Sequence, residues 1–325
     1  MRLSGIGELS LLDKIRKRFS AKIAGGRATV GIGDDAAVIS PRGDLALTTD
    51  MMVEGVHFDL SYITPFQLGF KLVSVNVSDI YAMGGSPSYA LLALALPPGT
   101  EEAFLDGLLD GVAAALRLYR ARLVGGDLSS SPVMTLSATL IGRVSRSVKR
   151  GGARPGDFIY VTGPLGDSAM GLHLLKTIGK PVDLKKPVNK PFKWALLRPL
   201  LERHLQPVAR NPKGFKRHAT AMIDISDGLS IDLVRLCMEG RVGARIYEEK
   251  IPISFEMKTA AGYLGLDPLA LALKGGEDYE LLFTSPKKLS GAVCIGEVAK
   301  SGLMLVDRRG GHRPIRPEGY RHFEV

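Results

Sequence analysis

Three observations predict two α+β domains for this chain. Its 325 residues exceed one typical domain and suit two. Strand-like and helix-like segments alternate along it, but not in the clean βαβ order of a doubly wound sheet. A basic, Gly/Pro-rich, non-periodic stretch, SRSVKRGGARPGD from Ser145 to Asp157, interrupts the alternation. The boundary is placed inside it, giving domains 1–148 and 149–325.

Met1–Arg18 alternates charged and apolar residues as an amphipathic helix does, without the apolar core of a signal peptide. Asp44–Thr49 (DLALTT) reads as a strand ending at Asp50. Pro65–Met83 carries a long helical pattern stopped by Gly84-Gly85. Tyr89–Leu96 is an apolar strand closed by Pro97-Pro98. Glu101–Tyr119 follows as an amphipathic helix, Arg122–Val124 as a short strand entering Gly125-Gly126-Asp127, and Val133–Val144 as a strong strand. Beyond the boundary, Phe158–Thr162 is a strand and Gly163-Pro164-Leu165-Gly166 opens a helix. Gly179–Lys193, rich in Lys and Pro, reads as a solvated loop. Ala221–Ile225 is a buried strand leading into SDGLSIDL, which opens a helix; Tyr279–Thr284 and Val293–Val298 are further strands.

Net charge is +10, from 43 basic and 33 acidic side chains. The basic residues are dispersed, densest from Lys176 to Lys193. With no nucleic-acid motif and few aromatics, the excess fits an anionic small-molecule substrate or a solvated surface, and no nucleic-acid partner is expected. No apolar run approaches the ~20 residues of a membrane helix, so no membrane association is expected. Cys237 and Cys294 form neither a zinc pattern nor a redox pair. Flanked by apolar residues, both read as buried core thiols, which suits a cytoplasmic protein.

Six segments set acidic residues against Gly, Ser or Thr at element ends: GIGDDAAV (Asp34, Asp35), TTDMMVEGVHF (Thr48, Thr49, Asp50, His57), NVSDIYAMGG (Asn76, Asp79), VGGDLSS (Gly125, Gly126, Asp127), IDISDGL (Asp224, Ser226, Asp227) and GGEDYEL (Glu277, Asp278). Taken singly, each reads as a helix cap or an Asp-Gly turn. Asp79 is the exception, because a carboxylate near a helix C-terminus faces the negative pole and needs a cation or a donor. Taken together, the six fit one chemistry. Mg²⁺ prefers carboxylate and hydroxyl oxygens and shares its shell with substrate phosphates. Glycine lets backbone N–H groups approach those phosphates. Gathered carboxylates without metal would repel one another.

Other chemistries lack their residues. There is no Walker A or protein-kinase signature, and GIGDDA is not a Rossmann fingerprint. No G-x-S-x-G elbow is present, and neither cysteine sits in a basic or Gly-rich setting. His204, His218, His312 and His322 read as surface or core residues, and His173 as structural.

These motifs, with GELSLLDKI, KRGGARPGD, VTGPLGDSAMGL and the tail EGYRHF, resemble the thiamine-monophosphate kinase family across nearly the whole chain. That family belongs to the aminoimidazole ribonucleotide synthetase-like ATP-binding superfamily. EGVHF, GGEDYEL and the Gly-Tyr-x-His-Phe tail carry the likeness to this member. No cysteine precedes Cys237, unlike selenophosphate synthetases, and the chain does not end in the functional cysteine of the hydrogenase-maturation relatives.

The resemblance implies an α+β N-terminal domain that binds ATP and Mg²⁺ and pairs with its twin in a homodimer, followed by a C-terminal α/β domain. It implies several Mg²⁺ ions on Asp35, Thr48, Thr49, Asp50, Asp79, Asp127, Asp224 and Asp227. ATP, the co-substrate, would meet Gly126, Asp127, Arg150 and Ser226. His57, Glu277 and Tyr320 would shape the site for thiamine monophosphate. The implied reaction is direct in-line transfer to give thiamine diphosphate. The acceptor is already an anionic phosphate, so no residue is assigned as general base. The alternatives are another ATP-dependent synthetase of the superfamily acting on a ribonucleotide amide, and a non-catalytic nucleotide-binding dimer.

Overall fold

The structure is a computed structural model that describes residues 2–6, 8–19, 28–30, 32 and 36–321. Asp34 and Asp35 of GIGDDAAV, and His322 and Phe323 of the tail, lie outside the described residues. The chain forms two compact units, one of 1–80, 85–145 and 180–182, the other of 81–84, 146–179 and 183–325.

The first unit contains α1 (Glu8–Phe19), β1 (Ala28–Val30), β2 (Val38–Ile39), β3 (Asp44–Val53), α2 (Pro65–Ala82), β4 (Ser86–Leu96), α3 (Glu102–Tyr119), β5 (Arg122–Ser130) and β6 (Thr135–Val144). Four strands form a sheet in the order β3-β6-β4-β5. Only β4 and β5 are parallel, joined by α3 as a crossover. One face is apolar: Leu136, Ala138, Leu140, Leu92 and Leu94 are at most 5% exposed. Over it lies α2, whose Asn76 and Asp79 side chains bond to β3. The two long helices pack closely because Gly69 and Gly111 carry no side chain. A Cβ there would sit 2.0 Å from the Leu108 carbonyl and 1.9 Å from that of Phe66. Lys14 of α1 reaches Glu102 and Asp106 of α3, each at 2.7 Å.

The second face of the sheet is only partly covered. Ala37 and Ile39 pack on Tyr89, Val124 and Ile141 at one end. Further along, Leu47 and Met51 stand 66% and 57% exposed.

The second unit contains β7 (Phe158–Val161), α4 (Asp167–Ile178), α5 (Trp194–Leu205), β8 (Ala221–Ile225), α6 (Leu229–Gly240), β9 (Gly243–Tyr247), α7 (Phe255–Leu264), α8 (Pro268–Lys274), β10 (Glu280–Ser285), β11 (Val293–Ala299), β12 (Leu303–Val306) and β13 (His312–Pro314). Its sheet runs β13-β12-β9-β11-β7-β10-β8, with only β9 and β12 parallel. Every residue of β8 and β10 is buried, so these strands have no solvent face, and Asp224 and Glu280 are buried with them.

Several elements differ from expectation. β3 runs through Asp50 to Val53 and β5 runs through Gly125-Gly126-Asp127 to Ser130. Pairing of Val53 with Thr135, and of Leu96 with Ser130, overrides the local turn preference of Asp and Gly. α5, α7, α8, β9, β12 and β13 are not expected from local sequence signals. The segment 179–193 has no regular structure but is not simply solvated: Val182 is 1% exposed and its carbonyl accepts from Gln67 Nε2 at 2.7 Å. Cys237 is buried, and burial pushes its thiol up to about 12. Cys294, expected in the core, is only half-buried. Among the described residues no helix is long and apolar enough to cross a membrane.

Candidate active site

In the first unit the acidic residues divide between the two faces of the sheet. Strand side chains alternate, so Thr48 and Asp50 face α2 while Thr49 faces away. The Thr48 hydroxyl donates to Asp79 Oδ2 at 2.6 Å. The Asp50 N–H donates to Asn76 Oδ1 at 2.9 Å, and Asn76 Nδ2 donates to the Leu72 carbonyl. Thr48, Asp50 and Asp79 are thus brought together by β3 and the last turns of α2. Thr49 is not: it bonds with Thr139, Ser137 and the Ala138 carbonyl on the other face. Asp127 shares that other face, in register with Ala93 and through it with Ser137 and Met51. It is exposed on β5, the far edge from β3, roughly 14 Å away at three strand spacings. Gly126 pairs with Leu92, and a Cβ there would fall 1.9 Å from the Leu92 carbonyl. His57 is half-buried just beyond β3, its Nδ1 accepting from the Val53 N–H at 3.1 Å.

In the second unit three motifs converge. The Ser226 carbonyl accepts from the Glu277 N–H at 2.7 Å, and that of Ile225 from the Tyr279 N–H at 2.9 Å. The Asp227 carbonyl accepts from the Tyr320 N–H at 3.0 Å. The ISDG loop thereby holds both the GGEDYE loop and the tail, with Asp224 at its root, 4% exposed on β8. Arg150 is elsewhere in this unit. It lines a cavity of about 570 Å³ with Ser147, Lys149, Thr220 and Glu239. The Lys149 carbonyl accepts from the Met222 N–H near the start of β8, whereas Ser226 follows its end, roughly 13 Å on at ~3.3 Å per residue. Among the described residues no group of three or more His, Cys, Asp or Glu side chains is assembled to hold a metal.

Three acidic residues not singled out as site candidates support these loops. Asp232 Oδ2 accepts from the N–H groups of Ser226, Asp227 and Gly228, at 3.2, 3.1 and 3.2 Å. It caps α6, the role that Asp227-Gly228 suggested for Asp227. Asp227 instead pairs with Arg235, which also holds Asp232 at 2.8 Å. Burial pushes the Asp232 carboxyl up to about 6, against the pull of these donors. The three-residue spacing of Asp232 and Arg235 on one helix was the available signal. Glu280 is fully buried and ion-paired with Arg203 at 2.6 Å and Arg210 at 2.7 Å. Asp278, quoted in the motif but given no role, is fully buried and accepts from the N–H groups of Gly166 at 2.6 Å and Ser168 at 3.1 Å, capping α4. It is flanked by Glu277 and Tyr279 at φ 64° and 50°, a left-handed conformation costly for side chains of this size. His204, 2% exposed, places Nδ1 3.3 Å from Glu277 Oε2.

Burial pushes the Asp278 carboxyl from 3.8 up to about 7, opposed by the Gly166 and Ser168 N–H groups. Between those values the folded chain keeps a proton that the unfolded chain has lost. The stability this group contributes is therefore full below about pH 4 and is lost as pH rises through about 7. Urea unfolding should show the wild-type chain losing stability relative to Asp278→Asn across that window, by on the order of a few kcal/mol. Identical pH slopes for the two proteins would remove this assignment.

The two sheets and their Asp/Gly loops define an AIR synthase related protein. The family model for the N-terminal domain of such proteins matches residues 33–144, and that for the C-terminal domain matches 154–305. Thiamine-monophosphate kinase of Aquifex aeolicus is 40% identical over 99% of this chain and 100% of its own. The solved AaThiL complexed with AMPPCP and TMP is 38% identical, covers 99% of both chains and superposes with a TM-score of 0.78. The crystal structure of thiamine-monophosphate kinase from Stenotrophomonas maltophilia K279a is 32% identical over 91% of this chain and 95% of its own, with a TM-score of 0.79. The chain belongs to the thiamine-monophosphate kinase family.

Proposed function

We propose that the chain transfers the γ-phosphoryl group of ATP to the phosphate of thiamine monophosphate, giving thiamine diphosphate. The observation that carries this within the fold is the convergence of ISDG, GGEDYE and the tail. It sets Ser226, for the nucleotide, beside Glu277 and Tyr320, for the acceptor. Glu277 offers a carboxylate to the cationic or hydrogen-bonding parts of thiamine, and Tyr320 an aromatic face. Gly126, Asp127 and Arg150 are assigned to ATP, and His57 to the acceptor.

The donor set fits Mg²⁺, being entirely hard oxygen. Thr48, Asp50 and Asp79 would hold such an ion in the first unit, and Asp224 and Asp227 another in the second, with Asp35 a further ligand. Thr49 and Asp127, on the opposite face of the sheet, are not included among these ligands. Bound there, the ions would offset phosphate charge. This chain's own contribution is positioning: β3 and α2 present the hydroxyl and carboxylates on one face, while Asp232 and Asp278 hold the loops of the other unit.

The enzyme is further proposed to be a cytoplasmic homodimer. Its two free cysteines suit a reducing compartment. The exposed Leu47 and Met51 on the open sheet face suit burial against a second copy. Sedimentation equilibrium should give twice the chain mass, and Met51→Glu should shift it toward one.

Incubating the folded protein with ATP, Mg²⁺ and thiamine monophosphate should yield ADP and thiamine diphosphate in equal amounts, and a chelator should stop the reaction. Folded protein that makes no diphosphate would overturn the assignment.

A further inference from the structure

A second cavity, of about 360 Å³, opens in the second unit beside α6. Its polar wall is Ser230 on the first turn of α6, Lys274 ending α8, Arg313 of β13, and Arg316 and Glu318 from the segment that follows. Leu305 and Ile315 form an apolar side. None of these residues has a part in the transfer described above.

Ser230 is 5% exposed, lines the cavity, and its hydroxyl has no hydrogen-bond partner among the described residues. Its hydroxyl is therefore available to donate to a group in the cavity. Arg316 likewise has no ion pair or hydrogen bond through its side chain among the described residues. Lys274 pairs with Glu318, and Arg313 with Glu248 at 2.7 Å. The Glu318 carboxyl is held below its usual range first by the hydrogen bond from Lys274, then by its charge, with Arg316 and Arg313 adding to it. Three cations thus act on one carboxylate, itself 43% exposed, with Lys274 bonded to it and Arg313 and Arg316 nearby. They outnumber by one the two carboxylates, Glu318 and Glu248, paired with them.

We propose that this cavity is a second anion site, taking the phosphate of a small organic phosphate between Lys274, Arg313 and Arg316, with Ser230 donating to it. The ligand displaces the Glu318 carboxylate. Its body is uncharged, because the three cations that attract the phosphate repel a cationic ring such as that of thiamine. The apolar side receives that body, and the volume lies within the range of small-molecule sites.

Pyrophosphate titrated calorimetrically in EDTA separates this site from the catalytic one, where phosphate is held through Mg²⁺. Binding should persist in the chelator. Arg316→Gln should weaken it by about tenfold or more, as expected for losing a charge-assisted contact. Ser230→Ala should weaken it less, and Glu318→Gln should tighten it by removing the competing anion. All three variants should retain kinase turnover. The Arg316-dependent share of binding should be larger for adenosine monophosphate than for thiamine monophosphate. No binding in EDTA overturns the proposal, as does wild-type affinity in Arg316→Gln or Ser230→Ala.

Discussion

Replacing Asp50 by asparagine should lower kcat by about a thousandfold or more, equivalent to ~4 kcal/mol of transition-state stabilisation, and leave the melting temperature nearly unchanged. The two outcomes separate because the backbone and side chain of Asp50 do different things. Its N–H donates to Asn76 Oδ1 at 2.9 Å and its backbone pairs with Ala138, and neither contact involves the carboxylate. Asparagine has the same shape, so β3 stays in register. The carboxylate shares the α2 face of the sheet with the Thr48–Asp79 pair. Removing its charge weakens the proposed cation site, and with it the neutralisation on which phosphoryl transfer depends. Turnover within tenfold of wild type at saturating Mg²⁺ would exclude Asp50 from the mechanism.

Replacing Glu280 by alanine should destabilise the second unit by about 3–5 kcal/mol. Glu280 is wholly buried on β10, where its carboxylate accepts from Arg203, Arg210 and the Thr162 hydroxyl, the last at 2.5 Å. The Arg203 side chain is only 13% exposed. Without Glu280 its charge would remain largely out of water and uncompensated. The single tryptophan, Trp194, begins α5, the helix that carries Arg203, so its fluorescence reports the transition directly. An unchanged urea midpoint would show that solvent or another residue already compensates these cations. Because Glu280 follows Tyr279 directly, loss of this anchor should also loosen the strained GGEDYE loop.

Local signals placed most helices and strands well. Pro65 at the start and Gly84-Gly85 at the end delimit α2, observed as Pro65–Ala82. The apolar run before Pro97 gives most of β4, and the AMIDI run gives β8. The family was legible too, because its motifs are contiguous and their order is linear. Strand length was not. β3 and β5 extend through Asp and Gly residues because neighbouring strands pair with them there, and a partner strand leaves no mark on the segment it lengthens. Thr48-Thr49-Asp50 reads as one cluster in the sequence, yet strand alternation turns Thr49 to the opposite face.

The chemistry proposed for this protein is thus written in its residue types: hard oxygen donors and glycines for phosphate approach. Those are properties of short segments and survive without the fold. Only folding determined which groups meet. Asp278 caps a helix 110 residues earlier in the chain, and Glu280 meets an arginine 77 residues away. Such contacts follow from sheet register and helix packing, which sum over the whole core, so no local pattern of residues foretells them.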